Sequence, residues 1–194
     1  MNRVLIQMHG LPGTGKSTLA RALGQALPAV VIDKDVIASA LIRHGMSFED
    51  AGAPAYQVMY AQAERFLADG HSVVFDSPCF WPLIEQHTRR IAANAGAAWL
   101  MVETRCRAEL RDARLAERPR LESNPLTLPG RRPGMYDPDC GQLVVDSARP
   151  IEQLVAEALG HVRRAATASP GSLSVIPGLA DEAGLSLSRP GVRA

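Results

Sequence analysis

Lysine is almost missing from this chain. Only two of its 21 basic residues, Lys16 and Lys34, are lysine, and all the others are arginine. A coding bias towards arginine accounts for the depletion, but it does not choose which two lysines persist. Cysteine is sparse too. Cys79, Cys106 and Cys140 are odd in number, far apart and without a C-x-x-C pair, which argues against a disulfide framework or a cysteine zinc site and for a reducing compartment. Excess charge is lacking: the formal net charge is +1, too little for a large nucleic-acid footprint or an acidic membrane surface. There is no apolar run of membrane length, and no signal-peptide or lipidation pattern, so the expected setting is the cytoplasm, away from any membrane. The 194 residues, 46% of them apolar, suit one soluble domain with a full core.

Glycine, by contrast, is concentrated where it has a use. The run from Gly10 to Ser17 reads G-x-x-x-x-G-K-S, a phosphate-binding loop. In such a loop Gly10, Gly13 and Gly15 let backbone N–H groups turn inward around an anionic chain where a Cβ would collide. Lys16 reaches the β- and γ-phosphates, and Ser17 holds Mg²⁺. Thr14 and Thr18 complete the cradle at a helix N-terminus. The flanks agree: Val4–Met8 reads as a buried parallel strand, and Thr18–Leu27 as a helix with Leu19, Ala22, Leu23 and Ala26 on one face. The pattern predicts a nucleoside triphosphate ligand.

Strand and helix signals then alternate. Strands are expected at 29–33, 71–76, 97–103 and 142–146, and helices at 36–44, 55–69, 82–95, 106–117 and 150–164. That order implies a parallel sheet with helices on both faces and functional residues at the carboxyl ends of the strands, where Asp33, Asp35, Asp76, Glu103 and Asp146 fall. Residues 1–164 form the expected domain. The stretch 118–141 is proline-rich and weakly periodic, as a loop or lid is, and 165–194 is a Pro/Gly/Ser-rich tail.

Two readings of Asp35 stand side by side. A carboxylate following the second strand lies beside the loop and is suited to take the proton of a hydroxyl attacking a γ-phosphate. The same residue is also suited to cap the helix expected from Val36. Residues 105–132 hold eight arginines and four acids. Arg107, Arg111, Arg114 and Arg118 share one helical face, readable as an ion-paired surface with Glu109, Asp112 and Glu117 or as a source of charge for a phosphoryl transition state. Asp76 sits where a Walker-B-type acid belongs and is the second metal candidate after Ser17, although a plain turn aspartate before Pro78 has the same look. Trp81 reads first as a core anchor or staple and second as an acceptor-stacking ring. His9 is expected to pack under the loop, and Ser147 and Arg149 to lie near a nucleotide base.

The loop, the Asp33-Lys34-Asp35 run and the later arginine pair resemble the small P-loop kinases, a group that includes polynucleotide 5′-kinases, chloramphenicol phosphotransferase, zeta toxins and gluconate kinases. The resemblance spans roughly residues 3–160. It implies a three-layer α/β P-loop NTPase fold with a five-stranded parallel sheet ordered 2-3-1-4-5, a mobile lid, and ATP with Mg2+ as donor. It further implies Asp35 as general base, Arg118 on the phosphates and Arg114 near the adenine. The polynucleotide branch carries an arginine three residues after the base to grip nucleic-acid phosphate; this chain has Ala38 there. The expectation is therefore an ATP-dependent phosphotransferase acting on a hydroxyl of a small molecule. A polynucleotide 5′-hydroxyl kinase and a nucleotide-gated regulatory ATPase are the alternatives.

Overall fold

A computed structural model describes residues 3–118 and 143–167. Five strands make one parallel sheet: β1 Val4–His9, β2 Val30–Asp33, β3 Val73–Asp76, β4 Ala98–Arg105 and β5 Leu143–Asp146, ordered β2-β3-β1-β4-β5. The helices between and after them are α1 Lys16–Ala26, α2 Lys34–Arg43, α3 Gly52–Ala68, α4 Pro82–Asn94, α5 Ala108–Glu117 and α6 Ile151–Thr167. This is the expected three-layer α/β architecture and strand order.

The layers follow from strand alternation, since neighbouring side chains on a strand point to opposite faces. Val4, Ile6 and Met8 of β1 pack with Leu19 and Leu23 of α1 and Leu154, Ala158 and Val162 of α6. Leu5 faces the other way, joining Ile32, Val73 and Phe75 against Met59, Ala63 and Leu67 of α3 and Ile91 of α4. Central β1 is buried along its whole length, whereas edge strand β5 alternates, with Leu143 and Val145 in and Val144 and Asp146 out. A smaller alanine cluster, Ala38, Ala51 and Ala55, binds α2 to α3.

The sequence reading misplaces several helix starts. Helix α1 begins at Lys16, two residues early, because the loop feeds straight into it. Helix α3 begins at Gly52 rather than 55, with Pro54 in its first turn, where a missing N–H costs nothing. Helix α6 runs to Thr167, past the expected end at 164. The lid stretch beyond Arg118, with Arg120, Arg131, Arg132 and Cys140, and the tail beyond 167 lie outside the described residues. No helix among the described residues is long and apolar enough to cross a membrane.

Candidate active site

The loop between β1 and α1 is held by its backbone and by what is packed against it. Gly10, Gly13 and Gly15 all take positive φ, at 126°, 81° and 91°, a region L side chains avoid. At Gly10 a Cβ would strike the backbone oxygen of Thr104. At Gly13 it would come within 2.8 Å of Leu115 Cγ and 2.9 Å of Arg111 Cγ on α5. The Thr14 hydroxyl donates to Leu11 O at 2.7 Å and shares a 2.8 Å hydrogen bond with Thr104 Oγ1, pinning the loop to β4. Ser17 is half-buried and Thr18 exposed in the first turn of α1. Lys16 Nζ donates to the carbonyls of Gly10 and Leu11 at 2.8 and 2.9 Å. Burial lowers the Lys16 ammonium to about 8, against the opposing pull of Asp76 and Asp35 and with a push from Arg118.

The register places Asp33 directly beside Asp76 at the carboxyl ends of β2 and β3. Helix α2 starts at Lys34, not Val36, and its cap is Asp33, whose side chain accepts from Asp35 N at 2.8 Å and Val36 N at 3.3 Å. Asp35 is therefore inside the first turn and is not the cap. Its Oδ1 lies 3.4 Å from Lys34 Nζ, and its Oδ2 3.3 Å from Arg118 Nη2. Burial pushes the Asp33 carboxyl up despite the two backbone N–H groups it accepts. Asp76 is buried, which raises it to about 6; nearby Asp33 adds to the rise, while a hydrogen bond from the Ser17 side chain and the Lys16 charge oppose it. Its Oδ2 has no hydrogen-bond partner among the described residues.

Helix α5 brings three arginines along the loop. The Arg111 stem packs at Gly13, and its guanidinium pairs with Asp112 at 2.9 Å, as the ion-paired reading expects. Arg114 donates to Ser147 Oγ and Ser147 O, both at 2.8 Å, and its Nη1 would be 3.5 Å from a Cβ on Gly15. Arg118 follows the helix and reaches Asp35. Arg107 is the N-cap residue of α5 and provides no side-chain cap hydrogen bond.

The family model described as "AAA domain" matches residues 5–132. The chain belongs to the AAA-domain family. Among curated proteins, this AAA-domain chain is 34% identical over 116 residues to an uncharacterized protein of Mycobacterium tuberculosis, covering 54% of this chain but only 23% of that protein's length. It is 28% identical over 171 residues to a shikimate kinase of Corynebacterium efficiens, covering 84% of this chain and 98% of the relative. Among solved structures, the Mycobacterium tuberculosis APS kinase in complex with AMPPNP and APS has the same fold, with a TM-score of 0.60 at 20% identity, over 84% of this chain and 98% of that one.

The β3–α4 connection borders the site of the AAA-domain chain from the other side. Buried Gln7 donates its amide to Ser77 O at 3.0 Å and Met8 O at 2.8 Å, tying that connection to β1. Tyr56 OH donates to Pro78 O at 2.9 Å, and burial drives its phenol above the usual tyrosine range. Trp81 is not a core anchor: it is 53% exposed, while Phe80 is buried and meets His9 edge-on at 5.6 Å. His9 is buried beneath the loop, as expected. Arg149 pairs with Glu157 of α6 at 2.8 Å. Ala38, at the position of the polynucleotide branch's arginine, is buried between α2 and α3. A hollow of about 380 Å³ is lined by Gly10, Leu11, Thr14, Phe80, Glu103 and Arg111; Lys16, Asp35 and Asp76 do not line it.

Three features here escaped the sequence reading. Asp33 as the cap was recoverable, because an aspartate two and three residues before Asp35 and Val36 fits an N-cap. Gln7, an amide inside an otherwise apolar strand, was visible but without a partner. The contact of Arg118 with Asp35 spans 83 positions, and no local pattern encodes it.

Proposed function

We propose that this chain transfers the γ-phosphate of ATP, bound with Mg²⁺, to a hydroxyl of a small molecule such as a sugar, nucleoside or antibiotic-like alcohol, with Asp35 as general base. The observation that carries this reading is the assignment of the helix cap to Asp33, which leaves the Asp35 carboxylate at the mouth of the phosphate loop with its charge coupled to Lys16. The acceptor hydroxyl gives its proton to Asp35 while its oxygen bonds to the γ-phosphorus, and the bond to the bridging oxygen of ADP breaks. Lys16 exchanges its two loop carbonyls for β- and γ-phosphate oxygens. Arg114 and Arg118 add positive charge along the phosphate chain, where preorganised donors do most of the catalytic work. The AAA-domain match and the near full-length likeness to a shikimate kinase support a small-molecule kinase. So does buried Ala38, which offers nothing to a polynucleotide phosphate.

Ser17 and Asp76 fit a magnesium ion. The buried Asp76 oxygen lacks a partner among the described residues, and the Ser17 hydroxyl points to the same carboxylate. Among the described residues no three His, Cys, Asp or Glu side chains gather into a cage, as expected for an ion that keeps waters and phosphate oxygens as its other ligands. Bound there, it supplies neutralising charge to the phosphates.

The test is γ-³²P-labelled ATP offered with panels of sugars, nucleosides and aminoglycoside-type alcohols. Asp35→Asn is expected to lower transfer to the acceptor that labels by at least about 10³-fold, with ADP affinity unchanged. Loss of ADP affinity together with transfer would mean that Asp35 supports the loop rather than the chemistry.

A further inference from the structure

Gln7 puts an amide in the middle of the central strand, between Ile6 and Met8, and it is completely buried. Its Oε1 has no hydrogen-bond partner among the described residues. A buried amide satisfied on one side only costs more than an apolar side chain of similar length. Packing therefore gives no reason for it, but the register does. Pairing of β1 with β3 runs from Leu5 beside Val73 to Gln7 beside Phe75 and stops there, whereas β1 stays paired with β4 as far as His9 beside Glu103. Beyond Gln7 the sheet opens between β1, which leads into the phosphate loop, and β3, which ends on Asp76. A split belongs at this place, because the chain leaves β1 towards β2 on one side and leaves β3 towards β4 on the other. Among the described residues the ladder partner of Asp76 is Asp33 of β2, on the side away from the loop strand.

The Gln7 side chain spans that opening. Its Nε2 donates to Met8 O on β1 at 2.8 Å and to the carbonyl of Ser77, the residue after Asp76, at 3.0 Å. Both partners are carbonyls, so the brace needs two N–H hydrogens on one nitrogen, which neither methionine nor glutamate offers. From α3, Tyr56 OH holds the next carbonyl, Pro78 O, at 2.9 Å. We propose that Gln7 is a positioning residue for the metal. Its amide sets the gap between the loop that leads to Ser17 and the strand end that carries Asp76, so that the two serve one magnesium ion. This role rests on the magnesium reading above, and it is measurable without any acceptor.

The experiment is titration calorimetry of ADP, once with excess Mg²⁺ and once in EDTA, into wild type, Gln7→Met and Asp76→Asn. Methionine keeps the length of the side chain and removes both donors. The readout is the ratio of the two affinities, because a folding defect lowers both alike and leaves the ratio unchanged. Gln7→Met is expected to cut the gain that Mg²⁺ brings by about tenfold, the usual effect of removing the support behind a metal ligand, with affinity in EDTA unchanged. Asp76→Asn should cut the gain by more. A wild-type ratio in Gln7→Met beside a lowered one in Asp76→Asn would overturn the positioning role and keep the metal reading. An undiminished ratio in Asp76→Asn would remove the metal reading and the positioning role with it. If Gln7→Met does not fold, Gln7→Asn, which keeps the donors on a side chain one methylene shorter, is expected to show the same loss, and a wild-type ratio there would overturn the role equally.

Discussion

The two sides of the site are built from different materials. The donor side is backbone: three glycines at positive φ, a threonine pair pinning the loop to β4, and α5 packed down on Gly13. The other side, where we propose that the acceptor binds, is made of side chains from three separate elements. Asp35 comes from α2, Tyr56 from α3 and Trp81 from the start of α4, and the ion pairs there are partly exposed. Shape fixed by main chain tolerates no added atom but recognises one chemical group well. Shape fixed by separate side chains, of which Trp81 is exposed, tolerates substitution there without disturbing the fold.

The largest effect should come from adding one methyl to the donor side. Gly10→Ala puts a Cβ against the Thr104 carbonyl at a φ of 126°, so loop and strand must part. Nucleotide affinity, read by ADP calorimetry, is expected to fall by about 100-fold or more. A variant that binds ADP as wild type does would mean that the loop is plastic and that its backbone does not fix the donor side.

Asp76 lies on the border of the two sides, and there stability and function oppose each other. Its folded-state value is raised from 3.8 to about 6 by burial, so between these values the folded protein holds more protons than the unfolded chain. Stability is therefore lost as pH rises through that window, and the full cost is felt above pH 6. Asp76→Asn is expected to stabilise the fold by up to about 2 kcal/mol at pH 7, with the gain vanishing near pH 4 in denaturant titrations. Phosphoryl transfer should fall at least about tenfold in the same variant. Equal stability of the two proteins at both pH values would remove burial as the cause of the shift.

That division of materials also explains what the sequence disclosed. Backbone conformations demand particular residues at fixed spacing, so Gly10 to Ser17 and the βα alternation could be read directly, and with them the sheet order through the kinase resemblance. Asp35 and Asp76 were legible as carboxylates after strands, because the parallel sheet sends such positions to one end. The cap falls two residues before the expected Asp35, because Asp33 both ends β2 and caps α2. The contact between Arg118 and Asp35 and the exposure of Trp81 depend on how loops from distant parts of the chain meet. No periodicity records that, and propensity alone favoured a buried indole.

Trp81 gives the smallest effect and the sharpest test of the acceptor side. The indole is 53% exposed, and its ring meets Phe80 edge-on with centroids 6.3 Å apart, so little packing is lost on truncation. Trp81→Ala should change stability by less than about 1 kcal/mol and leave ADP affinity at the wild-type value, since no loop residue depends on it. If the ring borders the acceptor, as its place just after the Asp76 end of β3 suggests for a side-chain-built wall, KM for the labelled alcohol should rise several-fold while kcat changes little, the pattern of lost uniform binding. A fall in kcat at unchanged KM would instead place the indole against the transferring group and make Trp81 part of the chemistry. A marked loss of stability would return it to the core role that its position in the sequence first suggested.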